Sequence, residues 1–423
     1  AFTLTICAFS FPTIGHVHLF DSLLMERTLG LPFLLFSLSA MLRGRLWWAA
    51  FLQGLAFNLH PLSAIYLIIA SWTGMLAWRG WRWSFLGQAL VFVLVALPTL
   101  YLKFRLAPEA GSTELHALWL EVMRLRNGEH AFPSVFPWRD FLHSALVLLV
   151  FALLLTRSGF EPGLKRFFWA FGGSIVLLLV LGTLFSELWP VKLVLQLQFF
   201  RSFRFLIYLC LILFALLSMD KPRPIHGLLL VLLLPLFFYG APAKSLGQVM
   251  AIALAYIALR GWSWSWRSAL VLSAIFLALG GGALILRGSF DFRRGGQSAD
   301  WYALQEEVQR QTPPDALIIL PPQEKGFRVY SRRAVFGEWY DGTKAFFSER
   351  YAAYWYNRMA ALGCLNPSEL VSDYQAIPLE HFQSLAQQFQ GDYSAVYLVQ
   401  YAEVSLPLAP AYRNSDFALY RLR

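Results

Sequence analysis

Charged residues and cysteines are scarce in this chain. Only 14% of its 423 residues are charged, about half the share of an ordinary soluble domain, which excludes a typical soluble enzyme. The three cysteines, Cys7, Cys210 and Cys364, have no metal-site spacing and make no disulfide framework. A Gly-rich phosphate loop, a dinucleotide fingerprint, a nucleophile elbow and a His-Glu-x-x-His zinc motif are all missing, so cytosolic nucleotide chemistry is not expected. No convincing internal repeat occurs, which weighs against a transporter built from inverted halves.

Apolar residues fill the space that charge leaves. Hydrophobic residues make up 57% of the chain and aromatic residues 17%, a membrane composition. Nearly uncharged runs approach the roughly 20 residues of a bilayer crossing. They predict spans near residues 1–14, 27–42, 46–59, 61–78, 84–103, 141–156, 167–185, 203–219, 226–239, 246–260 and 268–287. The expected fold is an α-helical polytopic membrane protein with about ten or eleven transmembrane helices over residues 1–287, followed by a small C-terminal α/β soluble domain over 288–423. The run at 1–14 is short and Ala1 is no initiator, so the chain is expected to begin inside a longer protein. The helices flanking His60 and Pro61 are short for a crossing and are expected to form a tilted or re-entrant pair.

The net charge of +10 is not a nucleic-acid signal, because the cations sit in short connectors. If successive connectors alternate sides, one side collects Arg43, Arg45, Arg79, Arg82, Arg157, Lys165, Arg166, Lys221, Arg223, Arg260 and Arg267, and the Lys/Arg rule makes it cytoplasmic. The other side receives most of the unusual polar residues and everything after Arg287. The chain is therefore expected in the inner or plasma membrane, multi-pass, with its C-terminal domain extracytoplasmic. Past that point helices are expected at 298–311, 344–362 and 379–389, and strands at 316–320, 328–336, 394–399 and 417–422.

Ionisable groups at membrane depth tend to mark function. Residues 15–27 carry His16, His18, Asp21, Glu26 and Arg27. Asp21 or Glu26 would suit a general base, Arg27 a substrate contact, and His16, His18 and Asp21 are weak ligands for a divalent cation, the one cofactor the pattern admits. In the connector between the fifth and sixth spans, residues 113–125 form an amphipathic run placed in the interface plane. Next to it, Arg126 would hold a phosphate and His130 shuttle a proton. Arg201 and Arg204, three residues apart, would share a phosphate group, while ordinary lipid anchoring explains them equally well. In the tail, Arg328, Arg332 and Trp339 form an aromatic and cationic cluster suited to a sugar, with period-2 alternation placing Arg328, Tyr330 and Arg332 on one strand face. Gly280 to Gly282 lie inside the last span as a close-packing site.

Taken together, Glu26-Arg27 before a span, the stretch from Gly54 to Pro61 containing His60, Arg126-Asn-Gly-Glu-His130, Gln198-Phe-Phe-Arg201 and Phe327-Arg-Val-Tyr-Ser-Arg332 resemble bacterial members of the GT-C superfamily of polytopic glycosyltransferases. That resemblance implies an inverting transfer of a hexosyl or pentosyl unit from a polyprenyl phosphate donor to an extracytoplasmic glycan, lipid or protein acceptor. It also implies an essential acid in the first outer loop, which is either the loop holding Asp21 or one preceding Ala1. The rival readings are a flippase for a lipid-linked glycan and a non-catalytic membrane scaffold whose tail binds a partner.

Overall fold

The structure, a computed structural model, describes residues 14–15, 26–105, 112–220 and 297–423. The spans expected at 1–14, 226–239, 246–260 and 268–287, and the residues His16, His18, Asp21 and Gly280 to Gly282, lie essentially outside the described residues. The chain divides into two compact units, Ala1–Ala107 with Gly128–Leu286, and Pro108–Asn127 with Arg287–Arg423.

The first unit is a helical bundle. Its described helices are α1 (Glu26–Leu42), α2 (Leu46–Leu59), α3 (Pro61–Arg79), α4 (Ser84–Arg105), α6 (Trp138–Arg157), α7 (Pro162–Thr183), the short α8 (Lys192–Leu197) and α9 (Phe203–Asp220), with α5 (Thr113–Ala131) contributing its C-terminal turn. Five segments of these helices are long and apolar enough to cross a membrane, and α2 is a shorter apolar helix. The core is made where α3 meets α7 and where α1 and α4 flank α2. Phe167, Phe171, Met75 and Leu67 are buried at the first contact. A Cβ on Gly74 would stand 2.7 Å from the Phe167 ring and 2.9 Å from the Phe167 carbonyl oxygen, so glycine is what lets these backbones approach.

α4 carries the lipid-facing signature. Leu86, Leu90, Val93, Leu94, Leu97 and Tyr101 are all exposed, a stripe too large and apolar to face water. Pro98 interrupts this helix and cannot donate to its backbone ladder. Asn58 of α2 bridges the next rung of the ladder, its amide donating to the Val95 carbonyl at 2.7 Å and its side-chain oxygen receiving the Thr99 N–H at 3.4 Å. A neighbouring helix thus supplies partners to backbone groups beside the proline.

The bundle has two distinct ends. At one, Gly44 sits 3.4 Å from the Arg79 guanidinium when its Cβ is built, and Trp47, Trp48, Trp81 and Trp83 are exposed around it. At the other, α3 begins, α7 ends and α9 begins, with Trp138 and Trp189 exposed. Exposed tryptophan at both ends is the pattern of an aromatic belt.

The second unit contains a mixed five-stranded sheet in the order β2-β1-β3-β5-β4. Strands β1 (Leu317–Ile319), β2 (Ala334–Val335) and β3 (Val396–Tyr401) are parallel, and β5 (Phe417–Arg421) pairs antiparallel with β3 and with β4 (Tyr412–Arg413). Helix α10 (Ala299–Gln311), capped by Ser298 on the Trp301 N–H, lays Trp301, Leu304 and Val308 onto the sheet core beside Ile318, Val399 and Leu419.

Two expectations fail here. Residues 328–336 are not a strand: Phe327–Ser331 form one helical turn, α11, and only Ala334–Val335 pair with β1. A single helical turn buries Phe327 and Ser331 as a four-residue pair, a spacing that local alternation also permits, and left-handed backbone at Gly326 (φ 74°) and Arg332 (φ 50°) closes both ends. The helix expected at 344–362 is likewise broken. A 3-10 stretch at Trp339–Phe346 precedes α12 (Glu349–Ala361), whose N-terminus Ser348 caps through the Tyr351 N–H. Helices α13 (Leu370–Gln375) and α14 (Leu379–Gln388) complete the unit.

The amphipathic run at 113–125 is helical as expected, but its apolar face is not an interface-plane surface. Trp119, Val122 and Met123 are buried within the second unit, Trp119 donates its indole N–H to the Ala345 carbonyl at 2.9 Å, and the Tyr356 hydroxyl bonds Glu121 at 3.0 Å. α5 bends at Asn127 (φ −126°), where the two units divide.

Candidate functional site

The polar end of the bundle is built by local backbone chemistry. His60 ends α2 and caps α3, where Pro61 lacks an N–H that would have no partner anyway. The Ser63 N–H lies 3.2 Å and its hydroxyl 2.6 Å from His60 Nδ1. The buried Arg204 donates to the same Ser63 hydroxyl. A guanidinium can only donate, so the hydroxyl proton goes to Nδ1, and in neutral His60 the proton sits on Nε2. An Arg-Ser-His relay results, with a ring N–H as its terminal donor.

Arg201 and Arg204 are brought there by an irregular passage. After Thr183 the last turn of α7 widens into a π-turn at Leu184–Leu188, α8 follows, and Gln198 takes left-handed backbone (φ 44°) before a 3-10 turn at Phe199–Ser202. π-turns and left-handed non-glycine residues concentrate at functional sites. Buried Tyr66 of α3 secures this passage, its hydroxyl meeting the carbonyls of Leu197 and, at 3.0 Å, Gln198. Both guanidiniums act electrostatically on that phenol, so they share its neighbourhood.

His130 joins the same end. Its Nδ1 lies 2.9 Å from the Gly15 carbonyl and so donates to it, and Glu129 lies 3.8 Å from Nε2. A Cβ on Gly15 would stand 2.8 Å from Phe200 and 3.4 Å from the Arg201 N, which ties His130 to the Arg201 turn. Glu187, on the π-turn, accepts the Ser134 N–H at 2.8 Å. On α1, Gly30 lies 3.9 Å from His60 by the same construction, and Glu26 and Arg27 lie one turn before it. His60, His130, Arg201, Arg204, Glu26 and Arg27 therefore belong to one end of one unit.

The remaining candidates belong to the second unit and are engaged in its own structure. Arg126 donates Nε–H to the Trp339 carbonyl at 2.9 Å, reaches Thr343 at 3.4 Å and lies over the Trp339 and Tyr340 rings. Trp339 is buried against Trp355, so it offers no open sugar-stacking face. Arg328 grips Asp341 bidentately at 3.1 and 2.7 Å and stands 3.5 Å from Glu338. Burial holds the Glu338 carboxyl above its ordinary range, with Arg328 opposing. Arg332 is an exposed helix stop. Arg333, which the sequence does not distinguish from its neighbours, is a buried staple reaching the carbonyls of Gln309 and Thr312 at 2.7 and 2.6 Å. Sequence reasoning also missed Ser63 and Tyr66, whose only sequence signal is that polar residues flank otherwise apolar helices, and it gave Gln198, quoted only as part of a motif, no role of its own.

No three His, Cys, Asp or Glu residues gather at metal-binding distance among the described residues. The family described as Domain of unknown function (DUF6798) matches residues 299–362, which run from α10 through α12. No curated protein and no solved structure matches the chain.

Proposed function

We propose that the chain is a membrane glycosyltransferase that moves a sugar from a polyprenyl phosphate donor to an extracytoplasmic glycan, lipid or protein acceptor, with its chemistry at the polar end of the bundle. The observation that supports this is the gathering of Arg201, the Arg204-Ser63-His60 relay and His130 at that end. A guanidinium near hydrocarbon is costly and is kept where an anion compensates it. In the reaction an acceptor hydroxyl attacks the anomeric carbon, its bond to the phosphate oxygen breaks, and the hydroxyl proton passes to a base. Charge then grows on the departing lipid phosphate. Arg201, Arg204 and the His60 Nε2–H are donors suited to that oxygen, and Glu26 or Asp21 is the base. On this reading the same end faces outward, and the Arg43 and Arg79 end faces the cytoplasm.

The test is transfer of radiolabelled sugar from a panel of polyprenyl phosphate donors in membranes carrying the full chain. Arg201→Ala and Arg204→Ala are expected to lower turnover by about 100-fold or more, as removal of an oxyanion donor does, and Glu26→Gln with Asp21→Asn identifies the base. Unchanged transfer in both arginine variants removes the assignment. Donor-lipid flipping in liposomes without transfer establishes the transporter reading instead.

A further inference from the structure

The second unit holds a cleft of about 580 Å³ lined by residues from the loop after β1 (Gln323, Glu324, Lys325), the end of β3 and its following loop (Tyr401, Glu403) and the start of β5 (Asp416). Its position follows from the topology. β1 lies between its parallel partners β2 and β3, so the chain leaves β1 toward one side and later returns on the other. The carboxyl edge at such a switch point is where open α/β sheets bind small ligands, and the volume falls in the ~300–1,000 Å³ range of such sites.

The walls are held in place by hydrogen bonds. The Trp301 indole and the Gln297 amide donate to the Lys325 carbonyl at 3.0 and 2.5 Å, fixing the first loop. Asn414 accepts the N–H groups of Asp416 and Phe417 while donating to the Asp300 carbonyl at 2.8 Å, fixing the third. Gln375 donates to Glu403. Among the described residues the carboxyls of Glu324 and Asp416 and the Tyr401 hydroxyl make no side-chain hydrogen bond. Burial and then Asp416 push the Glu324 carboxyl up, with Lys325 opposing.

Three carboxylates against one lysine exclude a phosphate group. No three described acids converge as on a single ion, so the acceptors are spread over the cleft wall. Spaced carboxylates and a phenol match a ligand that offers several hydroxyls. We propose that this cleft binds an uncharged sugar, its hydroxyls donating to Glu324, Glu403 and Asp416. The site is separate from the transfer chemistry, and binding is measured without any donor, so either reading can fail alone.

The experiment is saturation-transfer NMR on the full chain in nanodiscs, free of sugar-headed detergent. The probes are glucose, N-acetylglucosamine and their β-linked disaccharides, with spermidine, calcium chloride and inorganic phosphate as competitors. At least one sugar is expected to bind, and Glu324→Ala and Asp416→Ala to weaken it about 10-fold each, the scale of a hydrogen bond to a charged group. Tyr401→Phe is a milder version that keeps the ring, and Glu380→Ala, on the exposed face of α14, is expected to change nothing. Retained thermal unfolding of each variant shows that it is folded. Saturation of no probe sugar, saturation unchanged in both acidic variants, or displacement by spermidine or calcium at equal concentration overturns the proposal.

Discussion

Replacing Arg328 by alanine leaves Glu338 and Asp341, whose side chains are 6% and 13% exposed, facing each other without their shared cation. Breaking a fully buried pair costs ~3–5 kcal/mol and breaking an exposed one ~0–1 kcal/mol. Arg328 is itself 39% exposed, so a loss of about 2 kcal/mol is expected between those limits. For a unit of this size that lowers the midpoint of thermal unfolding by about 4–8 °C. The pH dependence is diagnostic. Glu338 already holds its proton more tightly folded than unfolded, and losing Arg328 strengthens that. The folded variant therefore binds the extra proton as pH falls, and its deficit is fully present at neutral pH and narrows toward the carboxylate range. Unfolding of the full chain, followed by fluorescence of the neighbouring Trp339 and Trp355 at pH 7.5 and pH 5, measures it. Glu338→Gln in the Arg328→Ala background is expected to restore much of the loss. An equal deficit at both pH values, or none at either, refutes the ion-pair account and returns Arg328 to the list of ligand-binding candidates.

Four further outcomes are expected. Gly74→Ala drives a methyl against the Phe167 ring and carbonyl oxygen and should cost ~1–3 kcal/mol of bundle stability, read as earlier unfolding in a detergent titration. Asn58→Leu strands the Val95 carbonyl beside Pro98 and should cost about 1 kcal/mol; an unchanged titration would mean that α4 satisfies its own break. Buried Cys364, whose thiol burial pushes up to about 12, should resist maleimide in the native protein and react after denaturation. Sidedness is better probed by Ser368→Cys, an exposed position, which labels from outside intact cells if the second unit is exported.

The helical bundle was legible because a long apolar run is a one-dimensional signal. The segments at 27–42, 46–59, 61–78, 84–103, 141–156, 167–185 and 203–219 are helices within a few residues, since a run of apolar residues that must satisfy its own backbone has no other choice. Strands β1, β3 and β5 were also legible, being short apolar runs bounded by proline, glycine or polar residues. The 328–336 segment was not, because Phe-Arg-Val-Tyr-Ser alternates like a strand and also pairs Phe327 with Ser331 across one helical turn. Contact with α10 selects the turn.

The candidate residues divide along the same line. The sequence determined that cations and histidines would collect at chain positions flanking helices, and residues 60, 130, 201 and 204 do meet at one end of the bundle. It could not tell which acceptors each cation would meet, since Arg126, Arg328 and Arg204 look alike in a string of letters. Only the tertiary structure decides that Arg126 is bound to the Trp339 carbonyl, that Arg328 neutralises Asp341, and that Arg204 reaches His60 through Ser63. The physical reason is that an arginine's role depends on which acceptors lie within about 3 Å of its guanidinium, and those acceptors come from segments more than a hundred residues away for Arg126 and Arg204.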